Sequence, residues 1–182
     1  MGFEKITTDI DGLIVLEPEV FGDSRGYFKE TYRDVDFKNL GLPTFVQENE
    51  SRSKAGVLRG LHYQLNPAAL TKLVRCVRGA IFDVAVDLRK SSSTFGHWYG
   101  LELSEENHKM LLVPEGCAHG FLTLREDTVI VYKQTDYYAP QYERSLMWND
   151  PALKIRWPLD NPILSEKDKV ALVLAEVENN FD

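Results

Sequence analysis

Short apolar runs recur along most of this chain, each cut off by Gly, Pro, Asn, Asp or Ser. They are rich in Val, Ile, Phe and Tyr, side chains that fit a pleated, half-buried surface. Runs of this kind occupy residues 13–18, 26–32, 45–51, 57–64, 72–78 and 80–88. Others follow at 98–103, 110–113, 120–124 and 129–135. Their close spacing predicts a mostly β, antiparallel sandwich or barrel rather than a sheet built from βαβ units. Helical signals are few. Asp34 to Leu40, stopped by Gly41, reads as a short helix. Ser165 to Glu178 reads as a longer one: Ser165 suits an N-cap, Asp168 follows three residues on, and Val170, Leu172, Val173 and Leu174 supply the apolar stretch. No repeat, linker or low-complexity tract interrupts the pattern, so one domain over 1–182 is expected.

Composition narrows the class. At 182 residues, 43% of them hydrophobic and 11% aromatic, the chain can fill a core and is too apolar for disorder. No apolar run approaches the ~20 residues of a membrane span. The start, Met1-Gly2-Phe3-Glu4-Lys5, lacks the basic-then-apolar pattern of a signal peptide. A cytoplasmic protein without a membrane partner is therefore expected. The net charge of −7 argues against a nucleic-acid surface, which needs a basic stripe. It leaves room for one small phosphorylated ligand held by a few cations, for which Arg25, Arg52, Arg59, Lys72 and Arg75 are candidates beside the plainer reading of scattered solvated charges. The two cysteines, Cys76 and Cys117, have neither metal-site spacing nor a disulfide framework. Cys76 reads as core; Cys117, beside His119, reads as core or as a thiol nucleophile.

The chemistry concentrates in Val57-Leu58-Arg59-Gly60-Leu61-His62-Tyr63-Gln64, with Lys72 on the next run. A neutral imidazole can take a proton from carbon while a nearby ammonium steadies the enolate. Alternation puts Gly60, His62 and Gln64 on one strand face and Arg59, Leu61 and Tyr63 on the other, unless a bulge at Gly60 brings Arg59 round. Asp83 and Asp87, four residues apart on one predicted strand, suit acid–base work or the neutralising of arginines. His119 suits a phosphate or carbonyl contact, or a local turn bond. Tyr132 is a proton donor if its hydroxyl faces a cavity and otherwise packing. Tyr137 and Tyr138 suit a stacking platform or an ordinary loop. Asp168 either completes a helix cap or bonds the far nitrogen of His62 and fixes its tautomer. No metal is expected, because His62 is followed by Tyr63-Gln64 rather than by a second ligand at the right spacing.

Several segments, in order, resemble one known family. They include Phe21-Gly22-Asp23-Ser24-Arg25-Gly26-Tyr27-Phe28-Lys29-Glu30, Gln47-Glu48-Asn49-Glu50-Ser51 and Gly56-Val57-Leu58-Arg59-Gly60-Leu61-His62-Tyr63-Gln64. Lys72-Leu73-Val74-Arg75, Pro114-Glu115-Gly116-Cys117-Ala118-His119-Gly120-Phe121, Tyr132-Lys133-Gln134-Thr135-Asp136-Tyr137-Tyr138 and Ser165-Glu166-Lys167-Asp168 follow. Together they make the chain resemble the dTDP-4-dehydrorhamnose 3,5-epimerases, a cupin-like jelly-roll family. The resemblance implies a double-stranded β-helix, a homodimer, no cofactor and a thymidine diphosphate (dTDP) 4-keto-6-deoxy sugar as substrate. It implies His62 as base, Asp168 as its partner, Tyr132 as proton donor and Lys72 near the keto oxygen. It places Arg25, Glu30, Gln47, Asn49, Arg59, His119, Glu143 and Lys167 around the nucleotide sugar, and Phe28 and Tyr138 near its base or sugar. The loop Asn66-Pro67-Ala68-Ala69-Leu70-Thr71 lacks a glutamine common there, and Cys117 replaces a bulkier residue. The implied reaction is epimerisation at C3 and C5 next to a C4 ketone. The competing expectations are a mono-epimerase, a keto-sugar isomerase, or a module that binds the sugar nucleotide without turning it over.

Overall fold

The computed structural model describes residues 2–182. Strands β1 (Phe3–Thr7), β2 (Ile14–Pro18), β3 (Phe21–Asp23) and β4 (Gly26–Phe28) precede helix α1 (Asp34–Asn39). Then come β5 (Gln47–Ser53), β6 (Leu58–Gln64), β7 (Lys72–Arg78), β8 (Ala80–Asp87) and β9 (Trp98–Ser104). β10 (Met110–Val113), β11 (Cys117–Thr123), β12 (Thr128–Gln134), β13 (Glu143–Ser145) and the one-turn helix α2 (Glu166–Lys169) complete the order. A six-stranded sheet runs β1-β2-β10-β7-β12-β5, and a five-stranded sheet runs β13-β6-β11-β8-β9. Every ladder in them is antiparallel. β3 and β4 form a separate hairpin. This is the expected jelly roll.

Period-two alternation explains how the sheets stack. Val74 and Cys76 of β7, Ile81 and Ala85 of β8, and Ile130 of β12 point between the sheets and join Val15, Leu111 and Phe121 in the inner core. The outer face of the five-stranded sheet (Leu61, Tyr63, Val84, Val86) is covered by the C-terminal segment through Leu153 and Phe181. The outer face of the other sheet (Ile14, Leu16, Leu73, Met110, Leu112) is covered by Phe37 of α1. β8 is therefore buried on both faces, which is why apolar residues fill both of its alternating sets, interrupted only by Asp83 and Asp87.

The inner face turns polar at one end. Neighbouring strands align Lys72, Gln134 and Gln47 in one row and Val74, Tyr132 and Asn49 in the next. Deeper still lie Cys76, Ile130 and Ser51. The interior thus grades from an apolar plug to a polar mouth.

Two predicted elements are corrected. The run 26–32 is a strand only to Phe28. The helix expected over 165–178 is a single turn, with Val170 76% and Leu172 50% exposed. Beyond that turn the backbone pairs elsewhere: Met147 N–H donates to the Leu172 carbonyl at 2.8 Å, and Leu174 N–H donates to Asp150 Oδ2 at 2.5 Å. Those bonds draw Leu172 and Leu174 into contacts with residues 147 and 150 in place of a continued helix. Three strands, β1, β3 and β13, are present where no strand was expected.

Candidate active site

The polar mouth opens into a cavity of about 410 Å³ whose walls include Arg59, His62, Lys72, His119, Tyr132, Ser165 and Asp168. A second compartment of about 330 Å³ carries Gln47, Asn49, Gln134, Tyr138 and Glu143, and meets the first at His62, Lys72 and Tyr132.

His62 comes from β6 of the five-stranded sheet, and Tyr132 from β12 of the six-stranded sheet. They reach the same space from opposite walls. Simple alternation would turn Arg59 away from His62. The β6–β11 register slips between His119 and Phe121, so one extra β6 residue brings Arg59 back to the cavity side. Gly60 makes that possible. Its φ is +124°, and a Cβ there would sit 2.5 Å from Gly120 Cα and 2.8 Å from the His119 carbonyl oxygen.

His62 Nε2 lies 2.6 Å from Asp168 Oδ1. Burial alone would raise the Asp168 carboxyl, but hydrogen bonds from His62, Ser165 and the Gly60 amide outweigh it and hold the group below its usual range. An ionised carboxylate only accepts, so Nε2 carries a proton, and in the neutral ring the lone pair is then on Nδ1. Of the capping-box reading only the serine half forms: the Asp168 N–H donates to the N-cap Ser165 Oγ at 3.2 Å, while its carboxylate accepts from the Ser165 hydroxyl and the histidine.

Lys72 stands at the junction of the two compartments. Desolvation by the cavity walls pushes its ammonium down to about 8, against the opposing pull of Glu143 and Asp83. Burial raises the Tyr132 hydroxyl above its ordinary range, with Glu143 adding to the effect and Arg59 opposing it. Tyr132 therefore keeps its proton at neutral pH. If Lys72 acts as a cation, kcat/KM should fall with a midpoint near 8 as pH rises, and a kcat/KM that stays flat to about pH 9.5 would contradict that. Stability should move the other way. Between about 8 and the lysine's ordinary 10.5, the unfolded chain binds the proton that the folded protein has lost, so folding strengthens with pH through that window.

The second compartment is a hydrogen-bonded frame. Gln134 Oε1 accepts from Gln47 Nε2 at 3.0 Å and from Asn49 Nδ2 at 2.7 Å. Gln47 Oε1 in turn accepts from the Tyr138 backbone N–H at 3.1 Å. Tyr138 OH donates to Glu143 Oε2 at 2.8 Å, and Lys167 Nζ pairs with the same oxygen at 2.6 Å. Burial would raise Glu143, but Lys167, Tyr138 and His62 together hold it low.

Of the residues singled out in the sequence, Arg25, Phe28 and Glu30 are not brought to this cleft. Arg25 and Phe28 sit on the exposed β3–β4 hairpin, where Arg25 pairs with Asp23. Glu30 lies beyond β4, with one carboxylate oxygen buried and unpartnered. Arg52 pairs with Asp127 at the surface, and Arg75 lines neither compartment. Cys117 is buried, and desolvation, aided by Asp87, pushes its thiol up to about 12, which removes the nucleophile reading. Asp83 and Asp87 do not work as a pair: Asp83 Oδ1 bonds His119 Nε2 at 2.7 Å, whereas Asp87 holds Arg89, Ser92 and Thr94. The sequence reading missed Ser165 as a cavity residue and Gln134 altogether. Gln134 shares the Tyr132 face by alternation, which is the signal that could have found it. Among the described residues, no three His, Cys, Asp or Glu side chains are grouped to hold a metal ion, and no helix is long and apolar enough to cross a membrane.

The fold and cleft define a jelly-roll protein equipped to move protons at a carbon acid. The family model described as dTDP-4-dehydrorhamnose 3,5-epimerase matches residues 7–176. A curated dTDP-4-dehydrorhamnose 3,5-epimerase from Shigella flexneri is 52% identical over 165 residues, spanning 90% of this chain and 91% of the relative. One from Methanothermobacter thermautotrophicus is 52% identical over 171 residues, spanning 92% of each. The Legionella pneumophila dTDP-6-deoxy-D-glucose-3,5-epimerase, solved in complex with dTDP-4-keto-L-rhamnose, superposes with a TM-score of 0.93 at 45% identity, covering 97% of this chain and 95% of that one. This chain belongs to the dTDP-4-dehydrorhamnose 3,5-epimerase family, and is thus an isomerase of the sugar-nucleotide class.

Proposed function

We propose that the protein inverts C3 and C5 of dTDP-4-dehydro-6-deoxy-D-glucose to give dTDP-4-dehydro-L-rhamnose, with His62 as base and Tyr132 as acid. The observation that carries this is the placement of those two side chains on opposite walls of one cavity. Epimerisation needs a proton taken from one face of a carbon and delivered to the other. The C4 ketone acidifies the hydrogens on C3 and C5. The Nδ1 lone pair of His62 removes one, Asp168 supports the imidazolium, and the charge moves to the ketone oxygen. Lys72 meets that oxyanion, a contact worth about 3–4 kcal/mol for one good donor. Tyr132 then delivers a proton from the other side; the imidazolium gives its proton up to solvent, the tyrosinate takes one from solvent, and the cycle repeats at the second carbon.

Arg59, His119 and Lys167 supply polar and cationic groups for the diphosphate. Gln47, Asn49 and Glu143 frame the nucleotide end, where the Tyr138 ring, 51% exposed, offers a stacking face to thymine. Arg25, Phe28 and Glu30 can serve such a cleft only if a second copy brings them there. The hairpin leaves Phe21, Tyr27 and Phe28 about half exposed, which suits a homodimer in which each copy completes the other's site. Within each copy the whole chain works as one domain, because the base and the carboxylate that aims it lie 106 residues apart.

A second reading, inversion at one carbon only, is favoured by likeness to a 3′-monoepimerase from Streptomyces bikiniensis solved with dTDP-quinovose, at a TM-score of 0.88 and 37% identity over 92% of this chain and 86% of that one. Proton NMR of the product separates the two. Inversion at both C3 and C5 is expected, and a product inverted at a single carbon would replace the first reading with the second.

A further inference from the structure

We infer that Ser165 is a positioning residue of the His62–Asp168 pair, its hydroxyl fixing the carboxylate that aims the base. The inference rests on the acid–base reading proposed above. Asp168 is only 3% exposed, so its oxygens must find donors inside the protein. Oδ1 accepts from His62 Nε2 at 2.6 Å, and Oδ2 accepts from Ser165 Oγ at 2.8 Å. Ser165 Oγ in turn accepts from the Asp168 backbone N–H at 3.2 Å. The serine thus ties the carboxylate to its own main chain. The terminal torsion of an aspartate is broad and roughly two-fold, and by itself leaves the carboxylate plane loosely set. The Gly60 amide also donates to this carboxylate, and Ser165 is the side-chain donor that binds Oδ2 and leaves Oδ1 turned towards His62. His62 is thereby held with Nε2 on the carboxylate and Nδ1 free.

Helix capping does not account for this arrangement. A capping hydroxyl stabilises the helix behind it, and α2 is a single four-residue turn in which only Asp168 is buried. The amide that Ser165 caps belongs to Asp168 itself. Ser165 also lines the larger compartment, on the same wall as Asp168.

The test compares full-length Ser165→Gly, Ser165→Thr, Asp168→Asn and the Ser165→Gly/Asp168→Asn double variant for kcat, KM and thermal midpoint on the dTDP-4-keto sugar. Glycine caps a helix almost as well as serine but has no hydroxyl to donate. Ser165→Gly should lower kcat on the order of tenfold, because it removes a hydrogen bond to a buried charge. KM should stay within about twofold, while the melting midpoint should drop by several degrees because the buried carboxylate loses one donor. Ser165→Thr, which caps and donates alike, should recover most of kcat. With Asp168→Asn already present, Ser165→Gly should cost nothing more, since the carboxylate it holds is gone. Native kcat in Ser165→Gly, a loss seen only in KM, a loss that threonine does not recover, or full additivity with Asp168→Asn would each overturn the inference. If Asp168→Asn itself leaves kcat intact, the acid–base reading falls. If Asp168→Asn cripples turnover and Ser165→Gly does not, only the role of the serine falls.

Discussion

Replacing His62 with asparagine is expected to lower kcat on the order of 10³-fold or more, while dTDP binds within a few-fold of its native affinity. The asymmetry follows from where His62 sits. It lies at the junction of the two compartments, whereas the nucleotide end is framed by Gln47, Asn49, Tyr138 and Glu143. Asparagine keeps a polar amide on that wall, although its Nδ2 stands about where the ring Nδ1 stood; one bridging water from it can serve Asp168, so the fold should be little disturbed. Alanine has no such amide. His62→Ala should therefore be just as inactive and also less stable, by about 1–3 kcal/mol for a buried acceptor left short. Calorimetric titration with dTDP, steady-state kinetics and thermal melts on the two variants check each part. A His62→Asn enzyme turning over near the native rate would remove His62 from the mechanism.

Tyr132→Phe should fail at a different step. The base, its carboxylate and Lys72 remain, so the enolate still forms, but its far face has lost the donor. kcat is expected to fall on the order of 10²-fold or more. Substrate recovered from D2O should nevertheless carry deuterium at the reacting carbon, because His62 can return a solvent-exchanged proton to the face it came from. Burial holds the native phenol above its ordinary pKa, so it stays protonated across the working range and can act as an acid. Mass spectrometry of recovered substrate checks this. Loss of exchange together with loss of turnover would mean that Tyr132 is needed to form the enolate and is not a donor alone.

Much of the barrel was legible because its strands are bounded by turn residues and alternate cleanly. Lys72, Val74 and Cys76, or Gln134, Tyr132 and Ile130, can be assigned to one face by counting in twos. Counting failed where the backbone breaks step. Arg59 reaches the His62 side only through the slip at Gly60, which the sequence marked as a possible bulge without deciding it. The C-terminal apolar stretch suggested a long helix, because nothing local shows that Met147 and Asp150 capture its backbone. The link from His62 to Asp168 stood as one of two readings of Asp168 until resemblance favoured it, since no local pattern joins residues 106 positions apart. Arg25, Phe28 and Glu30 mark the remaining gap: in the single chain they stand away from the cleft, and only the proposed dimer would bring them to it.

Every later step depends on His62 taking the proton from carbon. Incubating the dTDP-4-keto sugar in D2O with the native protein and with His62→Asn tests it most directly, with deuterium read at each carbon by NMR. Deuterium at both C3 and C5 with the native protein, and at neither with His62→Asn, is the predicted result; exchange at an undiminished rate in the variant would contradict it.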